Sequence, residues 1–358
     1  MSRFFSEKYS ALTPYTPGEQ PRAESPLVKL NTNESPYPPS PSALAYAREH
    51  TRSLNLYSDP TCRELVELAA EVWDVAPEEL LFTNGSDEIL NFAFMAFCDA
   101  GRGAAFPDIS YGFYPVFAQL NGVPYMEVPL EQDSFRIRPE DYFGLGRTIF
   151  IANPNAPTGL LLSVGEIESI LRANPDNVVV VDEAYIDFGG SSCVPLIHRY
   201  DNLLVTQTFS KSRSMAGARL GLGLGSPGLI RDLNTIKYST NPYNINSMTL
   251  ALGIGTLLDR DYTCRCCKAV SENRDWTAAQ LRQRGFTVLD SAANFLFAKT
   301  ERMEGGALYE ALKNRGVLVR HFDKPRITRY NRITIGTRAQ SMALLDALDW
   351  ILPKEGSV

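Results

Sequence analysis

Residues 177–185 read NVVVVDEAY, four valines in a row that end on Asp182 and Glu183. A strand with one wet face alternates apolar and polar residues. An unbroken β-branched run instead predicts a strand covered on both faces, as in a parallel sheet. Outward from this run, LLFTNGS (80–86) leads into DEILNFAFMAF, and GRTIFIANP (146–154) is followed by SVGEIESILRA. NLLVTQTFS (202–210) and ARLGLGLGS (218–226) come next. Short strands alternating with helical segments predict an α/β large domain, placed at 41–262. Beyond it GFTVLDS, NFLFAKT, GVLVRHF and RITIG stand among helices and predict a smaller α+β domain over 263–358. Residues 1–40 carry PYTPGEQP and NESPYPPSP, and proline at that density predicts an extended arm packed on something else. In TCREL, Thr61 and Glu64 have the spacing of a capping box at a helix start.

The 358 residues are 44% hydrophobic and carry a formal net charge of −6, so no global basic field draws nucleic acid or an acidic membrane. The longest apolar runs, such as Phe92 to Cys98, are far too short to span a bilayer. The amino terminus lacks the apolar stretch of a signal peptide, and a cytoplasmic location is expected. Six cysteines in so long a chain do not suggest a disulfide framework. Cys264, Cys266 and Cys267 cluster in TCRCC but fit no zinc spacing, and the only histidines are His50, His198 and His321. No metal is expected, and the cluster reads as reduced thiols on a helix.

In an open parallel sheet, ligands gather at the carboxyl ends of the strands. Those ends carry Asn84-Gly85-Ser86, Asn153-Pro154-Asn155, Asp182 to Tyr185, and Ser210-Lys211. Lys211 is a lone amine among small residues in TFSKSRSMAGARLG (208–221), with Arg219 eight residues on. Asp182 is either a cap or structural ion pair, or a carboxylate that holds a cationic ring nitrogen, with the phenol of Tyr185 at the same ligand. Gly85 and Ser86 open a helix whose free N–H groups suit an anion. Asp87 in the first turn would repel a phosphate, and Arg219 and Ser210 would supply the missing charge and hydroxyl. A competing G-x-G-x-x-G stands at Gly223 to Gly228. It is followed by KYSTNPYNINSMT, without the strand and acid that a nucleotide-binding oxidoreductase requires, so it reads as a strand that lets backbones pack closely.

The segments LTPYTPGEQP, KLNTNESPYPPSP, NLYSDP, NGSDE, SYGFY, NPNAPTG, DEAY, TFSKSRSMAGARLG, NFLF, VLVR and RITIGTR stand in the order of one family. The chain resembles, over nearly its whole length, the histidinol-phosphate aminotransferases among the fold-type-I enzymes that use pyridoxal 5′-phosphate (PLP). That resemblance implies a mostly parallel seven-stranded sheet flanked by helices, and transfer of an amino group between glutamate and imidazole-acetol phosphate in histidine biosynthesis. It implies that Lys211 carries PLP covalently and shuttles the proton, and that Asp182 holds the pyridinium nitrogen. Tyr185 would bond the ring O3′ and Tyr111 would stack on the ring. The phosphate would sit among Gly85, Ser86, Asp87, Ser210 and Arg219, with Tyr57 reaching it from the partner of a homodimer. Relatives often have Asn where this chain has Ala156, so the second O3′ contact is assigned to Asn155, with Asn153 as the alternative. Tyr15, Asn33, Arg320 and Arg332 would bind substrate, with loop arginines Arg326 and Arg329 near by. An aromatic aminotransferase or a threonine-phosphate decarboxylase would share this scaffold.

Overall fold

The computed structural model describes residues 2–21 and 27–353, so residues 22–26 of the arm lie outside it. Within the arm lies a short strand, β1 (Val28–Lys29). The large sheet then collects β2 (Leu80–Thr83), β3 (Ala104–Pro107), β4 (Tyr125–Val128), β5 (Thr148–Ala152), β6 (Val179–Asp182), β7 (Leu203–Thr208) and β8 (Gly221–Gly225). Its order is β2-β8-β7-β6-β5-β3-β4, with β8 antiparallel to both neighbours and every other pair parallel. The valine run forms the central strand, with three strands on either side. Val179 and Val181 enter the cluster on one face, while Val178 and Val180 enter the cluster on the other. Burying each such side chain is worth about 1.5–3 kcal/mol, which is why neither face tolerates a polar residue.

Helices cover both faces: α1 (Pro41–His50), α2 (Arg63–Trp73), α3 (Ser86–Phe97), α4 (Tyr114–Asn121), α5 (Val164–Ala173), α6 (Pro227–Thr240) and α7 (Ser247–Leu258). Ser40 caps α1, its hydroxyl accepting from Ala43 N, with Pro41 at the first helical position. Ser163 and Glu166 form a reciprocal capping box on α5. The box expected at Thr61 and Glu64 is absent. The Asp59 carboxylate, a stronger acceptor than a threonine hydroxyl, takes the N–H groups of Thr61 and Arg63, and Glu64 instead bonds the Tyr46 hydroxyl.

A single 24-residue helix, α8 (Arg260–Gln283), leads into the small domain. Cys264 is exposed on it, Cys266 and Cys267 are buried, and all three thiols are free. There β12 (Arg320–His321), β13 (Asn331–Thr334), β10 (Phe295–Thr300) and β9 (Phe286–Val288) pair antiparallel in that order, packed with α9 (Gly305–Asn314) and α10 (Arg338–Ile351). β11 (Val317–Leu318) pairs with β1, tying the arm to this domain. The glycine-rich strand β8 runs so close to the start of α3 that a Cβ on Gly221 would lie 2.3 Å from Ser86 N. That close approach, not a nucleotide, accounts for GLGLG. No described helix is long and apolar enough to cross a membrane.

Candidate active site

The strand register sets the floor of the site. Asp182 ends β6 opposite Ala152 of β5 and Thr206 of β7. Its carboxylate is 5% exposed and accepts from the Tyr114 hydroxyl at 3.3 Å and from Thr206 Oγ1 at 3.3 Å. Burial, and after it the nearby Asp87 charge, pushes Asp182 up to about 6. A buried carboxylate held by two hydroxyls and the Ala184 backbone N–H, with no cation paired to it, is stabilised by a cation brought to it, which makes it a receptor for one.

Lys211 follows β7 and faces the same cavity. Its Nζ donates to Thr32 O at 3.2 Å and lies 5.9 Å from the centre of the Tyr185 ring. Burial first, then the Arg332 charge, brings the amine down to about 8, so a sizeable fraction is neutral near physiological pH. The Tyr185 hydroxyl accepts from Asn33 Nδ2 at 3.0 Å, and its ring meets Phe295 edge-on at 5.1 Å. Asn33 is fixed in turn by Thr334, whose hydroxyl donates to its side-chain oxygen at 2.9 Å.

At the other end, Gly85 at φ +83° turns the chain into α3. A Cβ there would stand 2.5 Å from the Arg219 guanidinium, so glycine is required both for conformation and for space. Arg219 donates to Asp87 Oδ2 at 3.0 Å and to Ser210 Oγ at 3.4 Å, and Tyr111 donates to Asp87 Oδ1 at 2.6 Å. Asp87 therefore neutralises Arg219 and anchors Tyr111. It does not stand alone against an anion.

Ser86, Asp87, Tyr111, Asp182, Tyr185, Ser210, Lys211 and Arg219 line one cavity. A larger cavity adjoins it through Tyr111, Tyr185 and Lys211, and is walled by Tyr15, Asn33, Arg320, Lys324 and Arg332. Its described lining holds no Asp or Glu. Arg332 donates to Asn31 O at 3.0 Å, and its buried Nε has no partner among the described residues.

Several expectations need correction. Asn155 does not face either cavity. Its amide donates to Ile109 O and Thr158 Oγ1, each at 3.0 Å, and accepts from Ser110 Oγ at 2.8 Å. Asn153 is equally committed, to the backbone N–H and C=O of Leu162. Ala156 lines the cavity instead, as does Tyr185. Arg320 lines the larger cavity and at the same time bonds the arm, donating to Pro17 O at 3.2 Å and Thr16 O at 3.1 Å. Arg326 pairs with Asp108, and Arg329 pairs with Glu301 and Glu304, so neither points to substrate. Tyr57 is 83% exposed and stacks on Tyr243 at 4.5 Å, outside both cavities of its own chain. Residues not singled out from the sequence are Tyr114 and Thr206 on Asp182, Thr32 on Lys211, and Lys324 in the larger cavity. The signal for Thr206 was present: it is two residues from Thr208 on a buried strand, hence on the same face and in register with Asp182.

These residues suit PLP. A cationic ring nitrogen would complete Asp182, an amine of lowered basicity lines the same cavity, and an arginine with a helix start offers a phosphate seat.

Residues 25–348 match the family model described as aminotransferase class I and II. Histidinol-phosphate aminotransferase 1 of Pseudomonas fluorescens is 47% identical over 349 residues, covering 97% of this chain and 99% of that one. The histidinol-phosphate aminotransferase of Pseudomonas putida is 48% identical, covering 97% and 100%. The crystal structure of histidinol-phosphate aminotransferase from Sinorhizobium meliloti in complex with pyridoxal 5′-phosphate shares the fold, with TM-score 0.83 at 24% identity over 90% of each chain.

Proposed function

The chain belongs to the class I and II aminotransferases and, within them, to the histidinol-phosphate aminotransferases, and on that premise we propose that it transfers an amino group between L-histidinol phosphate and 2-oxoglutarate. The observation that carries the substrate class is the larger cavity, whose wall brings Arg320, Lys324 and Arg332 together without a carboxylate. Such a wall favours anions. Glutamate offers carboxylates and histidinol phosphate a phosphate, and both enter as anions.

PLP, when bound, supplies an electron sink for the bond broken at the amino-bearing carbon. Asp182 holds a ring nitrogen in its protonated state, and Tyr114 and Thr206 keep its carboxylate aimed. Gly85, Ser86, Asp87, Ser210 and Arg219 seat the phosphate by backbone, hydroxyl and guanidinium contacts. Tyr111 covers the ring face, and Tyr185, steered by Asn33, serves the phenolic oxygen without help from an asparagine. Lys211 Nζ is the group placed to carry the cofactor and to take a proton from the substrate carbon and return it. Its lowered basicity leaves it free to accept that proton near neutral pH. Arg332, with an unpaired Nε, meets the carboxylate or phosphate, and Tyr15 of the arm roofs the pocket with Arg320 fastening it.

The test is direct. Purified protein with PLP is incubated with 2-oxoglutarate and either histidinol phosphate or phenylalanine, and glutamate is measured. Histidinol phosphate should be the better donor by at least about tenfold, the value of one favourable ionic contact. Equal rates would make the chain an aromatic aminotransferase of the same scaffold.

A further inference from the structure

We propose that Arg326 is a positioning residue for the substrate pocket, fastening one wall of it to the other. The inference rests on the aminotransferase reading above and names a residue that touches neither cavity. Arg326 lies in the loop between β12 and β13, in the small domain. Its Nη1 donates to Asp108 Oδ2 at 2.8 Å, while Nη2 donates to Leu130 O at 3.0 Å and Glu131 O at 2.9 Å. The guanidinium lies 5.5 Å from the Phe135 ring. Asp108 uses its other oxygen to accept from Leu130 N at 2.9 Å. Carboxylate, carbonyls and ring thus form one socket in the large domain. A planar fork of donors fills it, which an ammonium cannot do.

Two features set this pair apart from an ordinary surface ion pair. The side chains of Arg326 and Asp108 are only 21% and 23% exposed, so solvent screens them less. In addition, Arg326 sits at φ +69°, a left-handed backbone that a non-glycine residue adopts only where its surroundings enforce it.

What the socket joins gives it meaning. Asp108 directly follows β3 and precedes Ile109, Ser110 and Tyr111, which line the larger cavity on one side. Arg326 stands between Lys324 and Ile327, which with Phe322 line it on the other. Phe322, before Arg326, meets Phe297 edge-on at 6.3 Å, while Ile327 after it is 1% exposed and Tyr330 stacks on Phe297 at 4.7 Å, so the loop is anchored on both sides of Arg326. The Asp108–Arg326 contact is therefore a strut that sets the width between the ring-covering loop and the cationic loop. A wall displaced by about 1 Å costs on the order of 100-fold in productive binding.

The experiment compares holoenzymes: wild type, Arg326→Met, Arg326→Lys and Asp108→Asn. In Arg326→Met the KM for histidinol phosphate should rise about 10- to 100-fold while kcat stays within about threefold, with the PLP dissociation constant within about twofold. Arg326→Lys should lie between wild type and Met, and Asp108→Asn should add little to Arg326→Met because both break one strut. A KM within twofold of wild type in Arg326→Met, with only the melting temperature lowered, would overturn the assignment and leave a structural ion pair. If Arg326→Met does not fold, Arg326→Lys decides, and a wild-type KM there overturns the proposal. Wild-type protein without turnover would overturn the aminotransferase reading itself, and this assignment with it.

Discussion

The Tyr114 hydroxyl donates to the Asp182 carboxylate at 3.3 Å, and both side chains are buried at the cavity that Lys211 also lines. Asp182 has few other protein partners, so Tyr114 and Thr206 share the task of keeping a carboxylate ionised in an apolar setting. With its pKa raised to about 6, Asp182 is expected to hold a cationic ring nitrogen above that pH and to lose its hold as pH falls through it.

Tyr114→Phe should therefore raise Asp182 further and move the acid limb of PLP binding to higher pH. The expected loss of PLP affinity is about tenfold at pH 6 and under about threefold at pH 8, measured by titrating apo protein. An equal loss at both values would mean that Tyr114 contributes packing and not the state of Asp182.

Lys211 sets a second pH dependence. Its amine is brought down to about 8, so its neutral fraction should rise about tenfold per pH unit below that value and level off above it. The rate at which apo protein takes up PLP, trapped with borohydride and located by peptide mapping, should follow that curve with the label on Lys211. Continued increase past pH 10, the range of an ordinary lysine, would place the reacting amine elsewhere.

Arg320 has two tasks to separate. Arg320→Met should speed hydrogen exchange in residues 12–21 of the arm, because the bonds to Thr16 O and Pro17 O are lost. It should also cut kcat/KM for histidinol phosphate by roughly 30- to 150-fold, the value of a charge-assisted contact, and that for phenylalanine far less. An equal fall for both donors would make Arg320 a fastener of the arm alone.

Tyr57 stands 83% exposed beside Tyr243, with Leu54, Leu56 and Leu258 exposed as well. An aromatic and aliphatic face of this kind is expected to be covered, here by a second copy across a two-fold axis. Sedimentation should give a dimer. Mixing inactive Lys211→Ala with a crippled Tyr57→Ala should restore about a quarter of the sites' activity, since the mixed dimer carries one sound site of two. A fully active monomer would refute the shared site.

The sequence by itself determined the α/β fold and the chemistry. Four valines without a polar break require a strand covered on both faces, and a lone lysine, an aspartate at a strand end and a glycine before a helix are local signals. These depend on period, composition and neighbours along the chain. What only the tertiary structure decided are pairings between strand-end loops far apart in sequence. Tyr114 reaches Asp182 across 68 positions and Arg326 reaches Asp108 across 218. Asn155 is the clearest case. Its side chain is turned from the cavity by Ser110 and Ile109, which stand beside it because β3 pairs with β5. A buried amide takes whichever partners adjacency provides, and adjacency is a property of the sheet order, not of the residue's own neighbours in the chain.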